Sequence, residues 1–398
     1  MKLLHVIQSV NPKHGGPIEG IRQQARQHKQ HGTLIEIISL DRVDDNFLGF
    51  PNTPVYPCKA TLLDNLFPVS LLKWIKLNHS SYDAIIINGI WGFHLLASWL
   101  ALRKSTTPYY IFSHGMLDPW FKKTYPLKHF KKWLVWPWAV YPAIRDAEAL
   151  FFTCEQEKLL ARESFWLYDC QEVVIDYGTE GIPDPEEDFS REFLDQHPQL
   201  DGKQIFLFLG RVHPKKGPDL LINSISLLQK EGNWNPAKMK VVIAGPADSQ
   251  YARHLINISK KIGISDSIYW TGMITGNQKW GAFQAADVFI LPSHQENFGI
   301  SVAEALSCRL PVLISTKINI YSEIELDRAG LVELDDLHGT ANLIRRWLAL
   351  DQSQKSVIKR AARDCFEKRF HISKTTNAID RNVLRALITK KLTHDSLD

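Results

Sequence analysis

The sequence predicts two doubly wound α/β domains facing each other across a cleft, followed by C-terminal packing helices. Three observations carry this. The chain has 398 residues, more than one hydrophobic core usually supports. Short unbroken apolar runs alternate with longer amphipathic stretches, the pattern of parallel sheets covered by helices on both faces. The two series of runs are separated by GTEGIPDPEEDFSREFLDQHPQLDGKQ (178–204), whose proline, glycine and charge read as a linker with one short helix.

The first series is KLLHVI, LIEIISL, DAIIIN, PYYIFS and ALFFT, and the second is QIFLFLG, MKVVIAG, SIYWTG, DVFILPS and PVLIS. Each run is too short and too β-branched for a buried helix, and a helical pattern follows it. Each series therefore reads as a Rossmann-like domain, with boundaries at 1–198 and 199–370. Beyond residue 340, RRWLAL, SVIKRAARDCFEKRF and DRNVLRALITKK are helical, and 371–398 is expected as a packing helix that can fold back on the first domain.

The 44% hydrophobic and 23% charged residues are ordinary for a packed globular chain, and a net charge of +4 gives no argument for nucleic acid. Cys58, Cys154, Cys170, Cys308 and Cys365 lack metal-site spacing and are expected as buried, reduced thiols. The N-terminal run is interrupted by His5 and Gln8 and resembles no secretory signal. A cytoplasmic protein is expected, with any membrane contact peripheral at the inner face.

Open parallel sheets bind ligands beyond the carboxyl ends of their strands, which narrows the candidates to residues just after each run. In LPSHQENFGISVAEALSCRLPVL (291–313) a strand gives way to a loop carrying Glu296, Asn297, Phe298 and Gly299. A helix beginning near Ile300 then carries Glu304. Carboxylates accept hydrogen bonds from hydroxyls, and the free N–H groups and dipole of a helix N-terminus favour phosphate. A sugar joined to a diphosphate offers both partners. In GRVHPKKGPDLLI (210–222) Gly210 allows close backbone approach, Arg211 can grip phosphate oxygens, Lys216 adds a point charge, and Pro218 opens a helix. Gly245 ends the next strand on the same edge. Either glutamate taken singly reads equally well as a solvated side chain; their joint placement favours a site.

The second half resembles the nucleotide-sugar-binding domain of glycosyltransferase family 4, the group 1 glycosyltransferases of GT-B fold. The resemblance rests on Gly210, Arg211, Lys216 and Gly217, and on the seven-residue gap between Glu296 and Glu304. It implies a retaining transferase moving a hexose from a nucleoside-diphosphate sugar to a hydroxyl of a glycan or lipid-linked acceptor, for surface polysaccharide, without metal or other cofactor. Arg211 and Lys216 would neutralise the diphosphate, Glu296 would contact sugar hydroxyls, Glu304 would hold the ribose, and the backbone of Asn297–Gly299 would cradle the sugar. The first domain would bind the acceptor. Arg309 stands where the family usually has glycine, and Ile318 to Tyr321 replace a glycine-rich loop. Two other readings of the architecture are a nucleotide-sugar epimerase and a non-catalytic nucleotide-sugar-binding protein.

In the first domain HGGP (His14 to Pro17) resembles the family's flexible loop, making Gly15 and Gly16 candidates at the donor phosphates, although a plain turn fits equally. His114, in FSHGMLDPW, matches a histidine that the family places near the reacting sugar, and Asp118 lies on the same loop. The stretch from Trp120 to Pro142 mixes lysines with tryptophans. Internal packing of these aromatics is the favoured reading; a peripheral, interfacial helix is the alternative.

Overall fold

The computed structural model describes residues 1–12, 15–49, 53–59, 64 and 66–395, so His14 of the HGGP turn lies outside the described residues. Two compact units result: Met1–Gly178 together with Ile372–Asp398, and Thr179–His371.

The first unit is built on seven parallel strands: β1 (Lys2–Ile7), β2 (Leu34–Ser39), β3 (Val55–Pro57), β4 (Ala84–Asn88), β5 (Tyr109–Phe112), β6 (Ala149–Phe152) and β7 (Glu172–Val174). Their order in the sheet is β3-β2-β1-β4-β5-β6-β7. The chain steps outward from β1, then returns to lay β4 on its other side, with Ile7 opposite Asn88 at the carboxyl ends. β4, β5 and β6 are buried along their whole length, as strands covered on both faces must be.

The second unit repeats the design with β8 (Gln204–Leu209), β9 (Met239–Ala244), β10 (Ile268–Gly272), β11 (Val288–Leu291), β12 (Val312–Ser315) and β13 (Gly330–Glu333). Its order is β10-β9-β8-β11-β12-β13, so the reversal falls between β8 and β11. Both units are Rossmann-like. The ten apolar runs all become strands, whereas β3, β7 and β13 escaped the pattern. They are sheet edges of three or four mostly half-buried residues, too short and too exposed to form an apolar run.

The second unit starts at Thr179 rather than at residue 199. The reason lies in the helix Ser190–Gln196 within the expected linker. Phe193 is fully buried, the Phe189 N–H donates to Gln284 Oε1 at 2.7 Å, and the chain passes so close to Gly281 that a Cβ there would meet Phe189 O at 2.3 Å. A proline- and charge-rich segment thus docks through two phenylalanines. The last helix, Ile372–Asp395, belongs to the first unit: Asn382 O accepts from Tyr110 Oη at 3.1 Å, and Thr375 Oγ1 donates to Asp176 O at 2.9 Å.

Arg309 explains the family's glycine. Its φ is 57°, the left-handed turn after the helix Ile300–Ser307, and Leu310 N–H closes that turn on Ala305 O at 3.1 Å. A non-glycine residue costs about 1 kcal/mol or more there, so the turn keeps its geometry under mild strain. The cysteines are all free, and burial pushes the Cys58 and Cys308 thiols up to about 12 and Cys170 to about 11.

Candidate functional site

The reversal of strand order in the second unit brings the loops after β8 and β11 together, the place where such sheets hold ligands. The β8 loop turns through Pro214–Lys216 to Gly217, whose φ of 66° starts the helix Pro218–Lys230. A Cβ on Gly217 would lie 2.2 Å from Pro292 O, so glycine is required by the β11 loop itself. The His294 N–H donates to Lys215 O at 2.8 Å and ties the two loops. Beyond it Glu296 is pinned on both sides of its peptide: its N–H donates to Lys317 O at 2.9 Å, and Asn319 N–H donates to its carbonyl at 3.0 Å.

This fixed loop delivers Glu296 Oε2 to Lys216 Nζ, and both side chains are more than four-fifths buried. Two residues 80 positions apart in sequence form one ion pair at the ligand edge. Glu304 is held separately: Lys279 Nζ lies 2.9 Å from its Oε1 and 4.0 Å over the Trp280 ring. Lys279, in the helix Gly276–Ala285, is a partner of the candidate Glu304 that sequence reasoning missed, because a lone lysine in a polar helix carries no signal. Arg211 is exposed and forms no ion pair among the described residues, which leaves its guanidinium available to an anion.

The remaining candidates divide by cause. Gly299, with φ 74°, caps the helix Ile300–Ser307, whose first N–H groups lack intrahelical acceptors. Phe298 is buried with its ring edge-on to Phe370 at 5.6 Å, so its side chain packs the core and only its backbone borders the loop. Asn297 Oδ1 accepts from Asn319 Nδ2 at 3.4 Å. Gly210 and Gly245 are matched to one another: a Cβ on Gly245 would sit 2.0 Å from Gly210 O, which explains that glycine by strand packing.

The first unit has a cavity of about 260 Å³ at its own reversal, lined among others by Gln8, Gly15, Asn88, Trp91, His94 and His114. Gly15 takes φ 86° in its wall, while Gly16 opens the helix Gly16–Gln30. His114 has φ 49° and its ring stacks on Phe112 at 4.5 Å. Asn88 Nδ2 is directed at Val6 O and Ile86 O, so its Oδ1 accepts, and His114 Nε2, at 3.1 Å, is the donor. His114 Nδ1 is then an acceptor. Burial pushes this histidine down to about 3, so the ring is neutral and suited to accepting a hydroxyl proton in a hydrogen bond. His94 has the same tautomer, with Nε2 donating to Asn88 O at 3.1 Å, and burial lowers it too.

The loop that carries His114 is clamped by Glu157, another residue the sequence did not reveal. Its Oε1 accepts from Ser113 Oγ at 2.5 Å and Gly115 N at 2.6 Å, and Oε2 from Thr153 N and Oγ1 at 2.7 and 2.6 Å. A glutamate in the first turn of a helix at a strand's end was its only signal. Asp118 accepts from Trp120 N at 2.8 Å and serves the turn into the next helix.

The neutral histidines have a measurable consequence. His5, whose Nδ1 lies 3.3 Å from Asn88 Nδ2, is also pushed down to about 3, by burial and then by His28 and His114. An unfolded chain binds these protons below about pH 6.5, whereas the folded one refuses them until about pH 3. Stability should therefore be flat above pH 7 and fall as pH drops through 6 to 4, by up to roughly 1.4 kcal/mol per pH unit for each excluded proton. Urea midpoints of wild type and His114→Gln check this; equal slopes in the two proteins would count against it.

Comparison with known proteins adds an independent line. Residues 190–364 match the family profile described as glycosyl transferases group 1, and 15–178 match the glycosyl transferase 4-like domain. A D-inositol 3-phosphate glycosyltransferase of Saccharomonospora viridis is 29% identical over 179 residues, 44% of this chain and 41% of that protein. The chain thus spans about two fifths of the length of that relative. Among solved structures, sucrose-phosphate synthase from Thermosynechococcus elongatus superposes with a TM-score of 0.76 at 18% identity, over 98% of this chain and 99% of that one. HepE of Anabaena, solved in complex with UDP and glucose, gives 0.73 at 18% identity, over 97% and 100%. At these identities the structural likeness speaks for the fold. Among the described residues no helix is long and apolar enough to cross a membrane, and no three His, Cys, Asp or Glu side chains gather as metal ligands.

Proposed function

The chain belongs to the group 1 glycosyltransferases, and from that membership we propose that it moves a hexose, with retention of anomeric configuration, from a nucleoside-diphosphate sugar to an acceptor hydroxyl. The observation that carries this is the Lys216–Glu296 pair, a cation and a carboxylate held together on two loops at the ligand edge of the second sheet. A diphosphate needs the cation and sugar hydroxyls need the carboxylate, so one pair addresses both halves of the donor. The solved HepE complex holds UDP and glucose, which supports a donor of this class.

In this reading the bond from the anomeric carbon to the diphosphate breaks and a bond to the acceptor oxygen forms, the acceptor's proton passing to the departing diphosphate. Negative charge grows on the departing diphosphate. Arg211, Lys216 and the helix N-terminus at Gly299 meet that charge with fixed donors, and no metal enters the scheme. Glu304, oriented by Lys279, holds the ribose. The cavity of the first unit takes the acceptor, with the neutral His114 and His94 rings accepting from its hydroxyls. The acceptor belongs to a glycan or a lipid-linked saccharide, destined for surface polysaccharide and glycosylated at the inner face of the membrane.

Thermal unfolding with UDP-, GDP- and ADP-sugars tests the reading. One donor should raise the melting temperature, since a ligand at a hundred times its dissociation constant adds about 2.7 kcal/mol to the folded state. Failure of all three to shift it would overturn the assignment. Released nucleoside diphosphate on adding an acceptor separates transfer from epimerisation.

A further inference from the structure

The aromatic segment does not do what internal packing requires. Trp136 is buried, its ring stacked on Phe165 at 4.1 Å, but its neighbours face outward. Leu127 is 81% exposed, Phe130 59%, Trp133 43%, Leu134 51% and Trp138 57%. Leu127, Phe130 and Leu134 recur at the i, i+3, i+7 spacing of one face of the helix Pro126–Val135. A helix normally turns that face to the core; here it is turned to solvent. Trp166, 65% exposed, lies beside it with its ring 6.4 Å from Trp133.

Charge tells what covers this face. From Pro119 to Arg145 there is no Asp or Glu, while Lys122, Lys123, Lys128, Lys131 and Lys132 stand on the same two short helices. A protein partner with ordinary mixed charge would leave such a run unpaired. An apolar stripe flanked by lysines, with indoles at its border, matches a surface that is apolar inside and anionic at its rim. We propose that this face of the first unit binds the surface of an anionic lipid bilayer, with Leu127, Phe130, Leu134 and Trp138 entering the headgroup boundary and the lysines engaging phosphates. The open groove of about 560 Å³ between Phe130, Trp133, Phe165 and Trp166 lies on the same side.

The placement also joins this face to the acceptor cavity. Trp91 lines the cavity, and its ring lies 5.5 Å from Phe165 of the groove and 4.4 Å beneath Lys132 Nζ. Two aromatic rings thus stand between the groove and the cavity, which places the bilayer-facing side of the unit next to the cavity wall that holds an acceptor. This last point rests on the proposed transfer; bilayer binding does not.

Co-sedimentation of the full chain with vesicles tests the proposal without any turnover. The wild type should bind phosphatidylglycerol–phosphatidylcholine vesicles, bind pure phosphatidylcholine far more weakly, and be released by salt. Each of the exposed lysines, Lys122, Lys123, Lys128 and Lys131, changed to alanine should lower partitioning by about five-fold. The triple variant L127S/F130S/W138S should lower it by about thirty-fold or more, with an unchanged melting temperature because these side chains are exposed. Brominated phosphatidylglycerol should quench the tryptophan fluorescence of the unmodified chain, a readout that needs no variant. Absence of both binding and quenching, or a triple variant that binds like wild type, would overturn the proposal. So would a lipid-free dimer that the triple variant abolishes, since the face would then be covered by a second copy. Because donor binding is read separately by thermal shift, failure here and failure of the transferase reading are distinguishable.

Discussion

Changing Lys216 to alanine is expected to lower turnover by on the order of 100-fold or more, the usual cost of removing one fixed group that stabilises developing charge. Two effects add in the same direction. The leaving diphosphate loses a cation, and Glu296, whose Oε2 is paired with Lys216 Nζ and whose side chain is mostly buried, is left as an unmatched negative charge beside it. Lys216→Arg should recover part of the loss, because charge returns although the compact ammonium does not. The measurement is the rate of nucleoside diphosphate release with the donor identified by thermal shift. Near wild-type turnover in K216A, with the fold intact, would remove Lys216 from the site. Arg211→Ala should behave similarly toward the donor but spare stability, since Arg211 is exposed and makes no ion pair among the described residues.

Glu157→Ala should be strongly destabilising. The side chain is only 3% exposed and accepts from four donors on Ser113, Gly115 and Thr153. Each buried donor left without an acceptor costs about 1–3 kcal/mol, and partial relaxation brings the total to roughly 3–5 kcal/mol. Glu157→Gln keeps one acceptor oxygen but turns an NH₂ toward the other two donors, so it should recover little. Urea denaturation measures both. The same clamp holds His114 at φ 49°, so activity under conditions where the variant is still folded should fall more than donor binding does. A midpoint like that of the wild type would show that the loop finds other acceptors.

Much of this was readable from residue order. The ten apolar runs became the strands expected of them because a strand buried on both faces must be apolar throughout, and the reversal points placed Arg211, Lys216 and Glu296 on one edge. What escaped reading has a common cause: it depends on partners distant in sequence. Lys279 matters through Glu304, 25 positions away, and Glu157 through a loop 42 positions earlier. The start of the second unit was misplaced because composition registers proline and charge but not that Phe189 and Phe193 are docked against Gly281. The tryptophan-rich segment was read toward the core because aromatics usually go there; the acid-free stretch around it was the better guide to its exposure.

The helix Ile372–Asp395 gives the molecule an order of assembly. It lies against the helix Gly16–Gln30, with His28 Nδ1 3.4 Å from Asp380 Oδ1, and Lys390 reaches Glu148 Oε1 at 2.5 Å. The first unit is discontinuous in sequence: the whole of Thr179–His371 is inserted ahead of the helix that completes it, so the first unit closes along its earliest helix only after the second has been made. The half made first is finished last, and a chain that lacks the helix Ile372–Asp395 leaves the helix Gly16–Gln30 without the neighbour that covers it.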